Sequence, residues 1–336
     1  MLFSTSPSAC QPLSSALFPG MSLWIKRDDQ LHPLVSGNKF RKLKYPLQAI
    51  QAQSASGNAV PSLPNTSPSP PPPRPPHLVS MGGIWSNHLH ALAHAAALSG
   101  LSATALVRGA EGMQSAMLDD CRQAGMQIRF VTREAYRQLR QDPTHWQHYI
   151  AADDQQACVW LPEGGSSPEA LHGVAELIEE LPFIPDTIVL ACGTGATLAG
   201  ILAGLRGRSR VIGIPVVSQP AYLHQDIARL LQQANYPAYD NYQLSDGFQH
   251  GGYAKTSPEL LQFCAEFIHD TGIAIEPVYT GKMLFAVRQL WLDGFFHPQE
   301  RVVVIHTGGL QGARGFAPMP LPLVFPSAAT VTKMIK

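Results

Sequence analysis

Charged side chains are scarce in this sequence: 14% of the 336 residues are Asp, Glu, Lys or Arg, against roughly 25% in an average soluble protein. The 24 basic and 24 acidic residues balance, which excludes a general electrostatic affinity for nucleic acid or an anionic membrane surface. Cysteine is scarce too. Cys10, Cys121, Cys158, Cys192 and Cys264 are odd in number and widely spaced, with no Cys-x-x-Cys; this pattern points to free thiols in a reducing cytoplasm. The N-terminus lacks a basic n-region and is broken by prolines, so it does not read as a signal peptide. The uncharged stretch from Thr187 to Leu205 approaches membrane-spanning length. Gly193 and Gly195 interrupt it, so it reads instead as strand, loop and buried helix.

Apolar residues are plentiful, at 45%, and the length suits two domains on a prior of about 150 residues each. A short strand is predicted at Leu23–Lys26, followed by a loop and an amphipathic helix over 39–52. Residues 54–76 differ in kind: nine of the sixteen residues from Pro61 to Pro76 are proline. Such a segment supplies few backbone donors to a sheet or helix, and it reads as an extended surface insertion, with an SH3-type ligand as the sharper alternative. Strand and helix patterns then alternate. Strands are predicted at 78–82, 104–108, 127–131, 158–161, 187–191, 210–217 and 301–306. Helices are predicted at 86–99, 114–124, 168–180, 225–234, 257–270 and 282–293. This alternation predicts an α/β protein with parallel sheets and crossover helices.

Open parallel sheets bind ligands beyond the carboxyl ends of their strands, and three such ends carry conspicuous loops: SMGGIWSNH, ACGTGAT and IHTGG. The GTGAT loop (193–197) has small residues that let backbone N–H groups approach an anion at a helix N-terminus. It matches neither a P-loop nor Gly-x-Gly-x-x-Gly, because Leu198 stands where the third glycine would be. A glycine turn for close strand–helix packing is the plainer alternative. Ser86 is placed as an N-cap, a geometry that also suits a substrate carboxylate. His90 and His94, four apart on an alanine-rich helix, read as packing or surface histidines rather than metal ligands. Residues 36–45, SGNKFRKLKY, hold four basic residues. A solvated basic face is one reading. The other makes Lys39 a nucleophile, its amine partly deprotonated by burial and by the neighbouring Arg41 and Lys42.

Taken in order, WIKRDD…SGNKFRKL, SMGG-x-x-SNH, GTGAT, EPVYTGK (276–282) and HTGG (306–309) resemble the D-cysteine desulfhydrase and 1-aminocyclopropane-1-carboxylate deaminase family. These are pyridoxal-phosphate enzymes of fold type II, the tryptophan synthase β-subunit type. The resemblance spans about residues 20–315. It implies a large cofactor-binding domain (1–40 and 161–336), a small inserted domain (41–160) and a homodimer. It implies that Lys39 forms the internal Schiff base and shuttles the substrate proton, and that Gly193, Thr194, Gly195, Ala196 and Thr197 bind the cofactor phosphate. Asn87 would bond the phenolic oxygen, Ser86 the substrate carboxylate, and Tyr253 and Tyr279 would face a small amino-acid substrate. Thr280 and Thr307 would lie near the pyridine nitrogen and the substrate pocket.

Those threonines bear on the reaction. In the cyclopropane deaminases the matching positions are typically Glu and Leu, whereas Thr at both is the desulfhydrase pattern. A carboxylate at the ring nitrogen keeps it protonated and strengthens the electron sink that ring opening needs. β-Elimination of a thiol makes do with a neutral hydroxyl. The sequence therefore predicts conversion of D-cysteine to pyruvate, sulfide and ammonia. The cyclopropane deaminase reaction, giving 2-oxobutanoate and ammonia, is the alternative, and a non-catalytic carrier or sensor of the cofactor is the alternative outside enzymes. A nicotinamide-dependent oxidoreductase would leave SGNK unexplained. The sequence departs from the family in the proline-rich insertion, in the HPLVSGNK approach to the lysine, and at Trp85 and His88.

Overall fold

The apolar runs become strands buried on both faces. In the computed structural model, which describes residues 2–4, 6–55 and 75–316, the chain runs through β1 (Cys10–Pro12), β2 (Leu23–Lys26), α1 (Asn38–Ala55), β3 (His77–Gly83), α2 (Asn87–Leu98), β4 (Ser102–Arg108), α3 (Ala116–Gln123) and β5 (Gln127–Val131). It continues through α4 (Arg133–Gln141), α5 (Ala152–Gln155), β6 (Cys158–Leu161), α6 (Pro168–Glu179), β7 (Thr187–Cys192), α7 (Ala196–Leu205) and β8 (Arg210–Pro215). Last come α8 (Tyr222–Gln233), β9 (Tyr242–Leu244), α9 (Pro258–Thr271), α10 (Thr280–Leu292) and β10 (Val302–Ile305). Most of the proline-rich stretch, 56–74, lies outside the described residues.

Two sheets result. The larger has the order β1-β2-β10-β7-β8-β9 and the smaller β5-β4-β3-β6. All pairings are parallel except β1 with β2. The period-two alternation of strand side chains sorts the large sheet's residues between two cores. Val189, Ala191, Ile212, Ile214, Val302 and Val304 pack with α9 and α10; Ile188, Leu190, Cys192, Val211, Val303 and Ile305 pack with α6, α7 and α8. The small sheet divides likewise: Leu78, Ala103, Ala105 and Val107 face α1, α2 and α3, while Val79, Met81, Leu106 and Val131 face α4 and Trp146.

Thr187–Leu205 is indeed strand, loop and buried helix, and among the described residues no helix is long and apolar enough to cross a membrane. Helices α6 and α7 touch closely because Gly200 has no side chain: a Cβ there would lie 2.5 Å from that of Val174. Helix α4 is absent from the sequence reading. It presents only Tyr136 and Leu139 to the core, too few apolar positions to stand out as a periodic stripe. Strands β1 and β9, of three residues each, are likewise too short to register.

Candidate active site

The lysine of SGNK owes its position to the glycine before it. Gly37 has φ +63°, and a Cβ there would sit 1.9 Å from the Thr307 carbonyl oxygen, so only glycine lets α1 begin against the loop after β10. The Asn38 amide donates to that same oxygen at 3.1 Å. Lys39, in the first turn of α1, enters a cavity of about 550 Å³ at the carboxyl ends of strands from both sheets, within the range of small-molecule sites. Burial pushes its amine down to about 8, against the opposing pull of Glu163. An appreciable fraction is therefore the neutral nucleophile at physiological pH.

Burial, rather than Arg41, does this. Arg41 stands two residues on, which on a helix is the far side. Its guanidinium bonds both oxygens of Asp28 at 2.6 and 2.8 Å and both oxygens of Glu180 at 2.9 and 2.7 Å. Lys42, at the i+3 position, shares the face of Lys39. It lines the cavity, fully buried, with its amine 3.2 Å from the Gly164 carbonyl oxygen. Burial and the charge of Lys39 hold it well below the usual lysine range. The sequence reading missed its place in the site, although the three-residue spacing was available.

The loop after β7 forms the opposite wall. Gly193, Thr194, Gly195 and Thr197 line the cavity; Ala196, the first residue of α7, is buried behind them. Gly195 has φ +78°, and a Cβ there would meet Ile227 at 2.9 Å. The N-terminal end of α7, with its unpaired amides and partial positive charge, faces the cavity. Thr194 and Ser166 share a hydroxyl hydrogen bond of 2.6 Å, and Asn38 donates to the Thr197 hydroxyl at 3.0 Å.

Ser86 caps α2, accepting from the Leu89 amide at 3.2 Å, and it also borders the cavity. Asn87, beside it, lies against glycines of the HTGG segment and the turn that follows: a Cβ at Gly309 would be 2.4 Å from its amide nitrogen. Its side-chain oxygen is buried without a partner. Tyr279 sits against Gly193 and meets Tyr253, ring centroids 6.1 Å apart. Burial holds the Tyr279 phenol well above the usual tyrosine range; Tyr253 is 45% exposed as a residue, its phenol raised where it enters the cavity, and both are protonated at neutral pH.

The two threonines part company. Thr307 borders the cavity, whereas Thr280 is fully buried behind Tyr279 and its hydroxyl engages Glu276. Glu276 closes the N-terminus of α10, accepting from the amides of Val278, Tyr279 and Thr280 at 2.8 Å each. Burial pushes this carboxyl up despite those donors.

Of the further lining residues, His88 was already marked by the sequence as a departure from the family, whereas Glu163, Tyr136 and Arg140 escaped the sequence reading. His88 is buried on the cavity wall; Ser80 donates to the Leu161 carbonyl at 2.7 Å and so must accept from His88 Nε2 at 2.9 Å. That leaves His88 Nδ1 as an unprotonated acceptor with no partner. Glu163 accepts from Tyr136 and, at 2.6 Å, from Arg140. Gly164 and Gly165, both with positive φ, bend this PEGG turn toward the two lysines. Away from the cavity, His90 and His94 are buried, with His90 3.2 Å from Asp120 and His94 bonded to the His90 carbonyl; packing is their role.

Pyridoxal phosphate asks for an amine, a cradle for a dianion and a partner for its phenolic oxygen. Lys39, the Gly193–Thr197 turn and the side-chain NH2 donor of Asn87, all lining the cavity except the buried Ala196, supply chemistry that fits it. Comparison with known proteins agrees. The chain is 27% identical to the bifunctional D-cysteine desulfhydrase/1-aminocyclopropane-1-carboxylate deaminase of Arabidopsis thaliana over 87% of this chain and 73% of that one. It is 28% identical to a 1-aminocyclopropane-1-carboxylate deaminase of Methylobacterium nodulans, over 90% and 91% of the two chains. Among solved structures, a homologue of that deaminase superposes with a TM-score of 0.72 at 25% identity, covering 98% of this chain and 94% of the other. Threonine deaminase from Solanum lycopersicum shares the fold, with a TM-score of 0.58 at 14% identity, over 99% of this chain and 84% of that one. The family profile described as pyridoxal-phosphate dependent enzyme matches residues 8–308, and over that span the chain belongs to this family of enzymes.

Proposed function

We propose that the chain carries out a deaminating β-elimination on a small amino acid, with D-cysteine giving pyruvate, hydrogen sulfide and ammonia. The observation that carries this reading is the lack of a free carboxylate on the cavity wall. Among the described lining residues Glu163 is the only acidic one, and both its oxygens are engaged by Tyr136 and Arg140. Glu276 is turned to the amides of α10. Thr307, a neutral residue, lines the cavity, which suits a reaction whose leaving group takes up the electrons. The second reading, opening of 1-aminocyclopropane-1-carboxylate to 2-oxobutanoate and ammonia, is favoured by the names of several relatives.

Bound pyridoxal phosphate supplies the electron sink that stabilises negative charge at the substrate Cα. The chain's own residues do the rest. The amides of Gly193–Thr197 and the end of α7 hold the phosphate, and Asn87 orients the ring. Lys39 would hold the cofactor through its Nζ, and the same amine, once free, is placed to take the α-proton of the substrate. Ser86 and the N-terminus of α2 bind the substrate carboxylate. Tyr253 and Tyr279, protonated at neutral pH, donate toward the departing thiolate. Water completes the balance, converting the three-carbon product to pyruvate and ammonia.

The sheet boundaries support a large domain of 1–40 and 161–336 and an inserted small domain of 41–160, since the small sheet uses residues 77–161 alone. Five free cysteines among the described residues suit a reducing cytoplasm, and a homodimer is the assembly proposed. The test is steady-state turnover of purified holoenzyme with D-cysteine, L-cysteine and 1-aminocyclopropane-1-carboxylate. Pyruvate from D-cysteine is expected, lost in Lys39→Ala together with the visible band of the lysine-linked cofactor. A preference for the cyclopropane substrate would overturn the argument from Thr307. No turnover of any amino acid by a yellow protein would favour the carrier.

A further inference from the structure

The cavity wall carries more positive charge than the cofactor and a simple amino acid use. Among the described residues, Lys39, Lys42, Arg108, Arg140 and Lys255 line it against the single carboxylate of Glu163. Arg140 is spent on Glu163 at 2.6 Å. Lys39 and Lys42 lie beside the Gly164 carbonyl, on the side that serves the cofactor and its phosphate dianion. Arg108 and Lys255 remain, both exposed at the mouth.

Arg108 is the better placed of the two. It ends β4 and pairs in register with Gly83, three residues before Ser86, so it stands next to the loop that takes the substrate carboxylate. Its guanidinium lies over the ring of Tyr136, 5.4 Å from the centroid, and Glu163 fixes that ring through the phenol. Its charge reaches the phenol of Tyr253, which also lines the cavity. Among the described residues it makes no ion pair or side-chain hydrogen bond, because the one carboxylate nearby is already taken. A planar fork stacked on a fixed ring, with its donors unspent, is suited to bidentate capture of an oxyanion.

We propose that Arg108 binds an oxyanion carried on the substrate's side chain, so that the preferred substrates are amino acids with a second anionic group beyond Cβ. The shared chemistry is that of a carboxylate, sulfonate or phosphate. This rests on reading the cavity as a site of amino-acid β-elimination. For S-carboxymethylcysteine the Cα–H and Cβ–S bonds break, thioglycolate leaves having taken up a proton, and water releases pyruvate and ammonia. D-Cysteine is turned over by the same steps without the help of Arg108.

The test separates binding from turnover. Calorimetry of the holoenzyme with aspartate and asparagine, each as both enantiomers, compares near-isosteric ligands that lack a leaving group. Aspartate is expected to bind about ten- to a hundredfold tighter than asparagine, the range of a charge-assisted hydrogen-bonded pair. In Arg108→Gln the two should agree within about threefold, and the affinity for alanine should move by less than that. Equal affinities in the parent protein would overturn the proposal. So would an Arg108→Gln variant that loses alanine as severely as aspartate, since Arg108 would then hold the α-carboxylate. Arg108→Lys, which keeps the charge and loses the fork, should fall between. Pyruvate release from S-carboxymethylcysteine against S-carbamoylmethylcysteine reports the chemistry separately: its absence would count against β-elimination while the aspartate preference stood. Cysteate and O-phosphoserine distinguish a sulfonate and a phosphate from a carboxylate.

Discussion

At the scale of single residues, the site depends on an amine made reactive by its surroundings. Lys39 is brought down to about 8 chiefly by burial, so its neutral fraction grows about tenfold per pH unit below that value and levels off above it. The rate at which cofactor-free protein takes up pyridoxal phosphate should follow the same curve, rising with pH to about 8 and then flattening. Growth of the visible band after mixing measures it; a profile still climbing toward pH 10 would show an ordinary lysine. Lys42 sharpens the point. It is the more deeply buried of the two residues, and it feels the charge of Lys39, so joining Lys39 to the cofactor, as proposed, would change the charge felt by its neighbour.

At the scale of elements, α1 is held by charge as well as by packing. Arg41 joins Asp28, which follows β2, to Glu180 at the end of α6; Lys26 adds its own bond to Glu180 and Ser8 bonds Asp28 at 2.6 Å. Asp28 and Lys26 are fully buried. The absent side chain of Gly173 lets the Arg41 carbonyl come where a Cβ would be 2.1 Å away, so α1 and α6 lie nearly in backbone contact. Removing one member leaves a buried charge uncompensated. Arg41→Met is expected to cost about 3–5 kcal/mol of stability, read as a lowered midpoint in denaturant titration, with weaker retention of cofactor because the turn bearing Lys39 loses its clamp. An unchanged midpoint would show that packing alone suffices.

At the scale of the whole molecule, the cavity is assembled from strand ends of both sheets: Gly83 and Arg108 from the smaller, Cys192 and its following loop from the larger, and Thr307 just beyond β10. The sequence reads the proline-rich residues 54–76 as an insertion between elements, away from the motifs that build this cavity. On that reading, replacing the proline-rich stretch by a short Gly/Ser linker between α1 and β3 is expected to leave turnover within about twofold and to shift stability by under about 1 kcal/mol, since the length of a connection changes closure entropy only slowly. Steady-state assays and thermal melts check this; loss of activity would assign the insertion a role in the site.

The sequence by itself determined the alternation of strands and helices and the loops at their carboxyl ends, whereas for Lys39 its residues left a solvated basic face open and the nucleophilic role came from the family resemblance. The alternation and the loops follow from local rules: two- and 3.6-residue periods, glycine where φ is positive, small residues before a helix. The spacing from Lys39 to Lys42 was equally local and was simply not used. Only the tertiary structure decided that Thr307 faces the cavity while Thr280 serves Glu276, that Arg41 turns away, and that Glu163 is already engaged when Arg108 is not. Thr280 and Glu276 stand only four residues apart; the others depend on partners tens to hundreds of residues apart, such as Tyr136 with Glu163 and Arg41 with Glu180. Which side of a turn a side chain leaves by is fixed by crossovers and close backbone approaches, and no window of sequence contains both halves of such a contact.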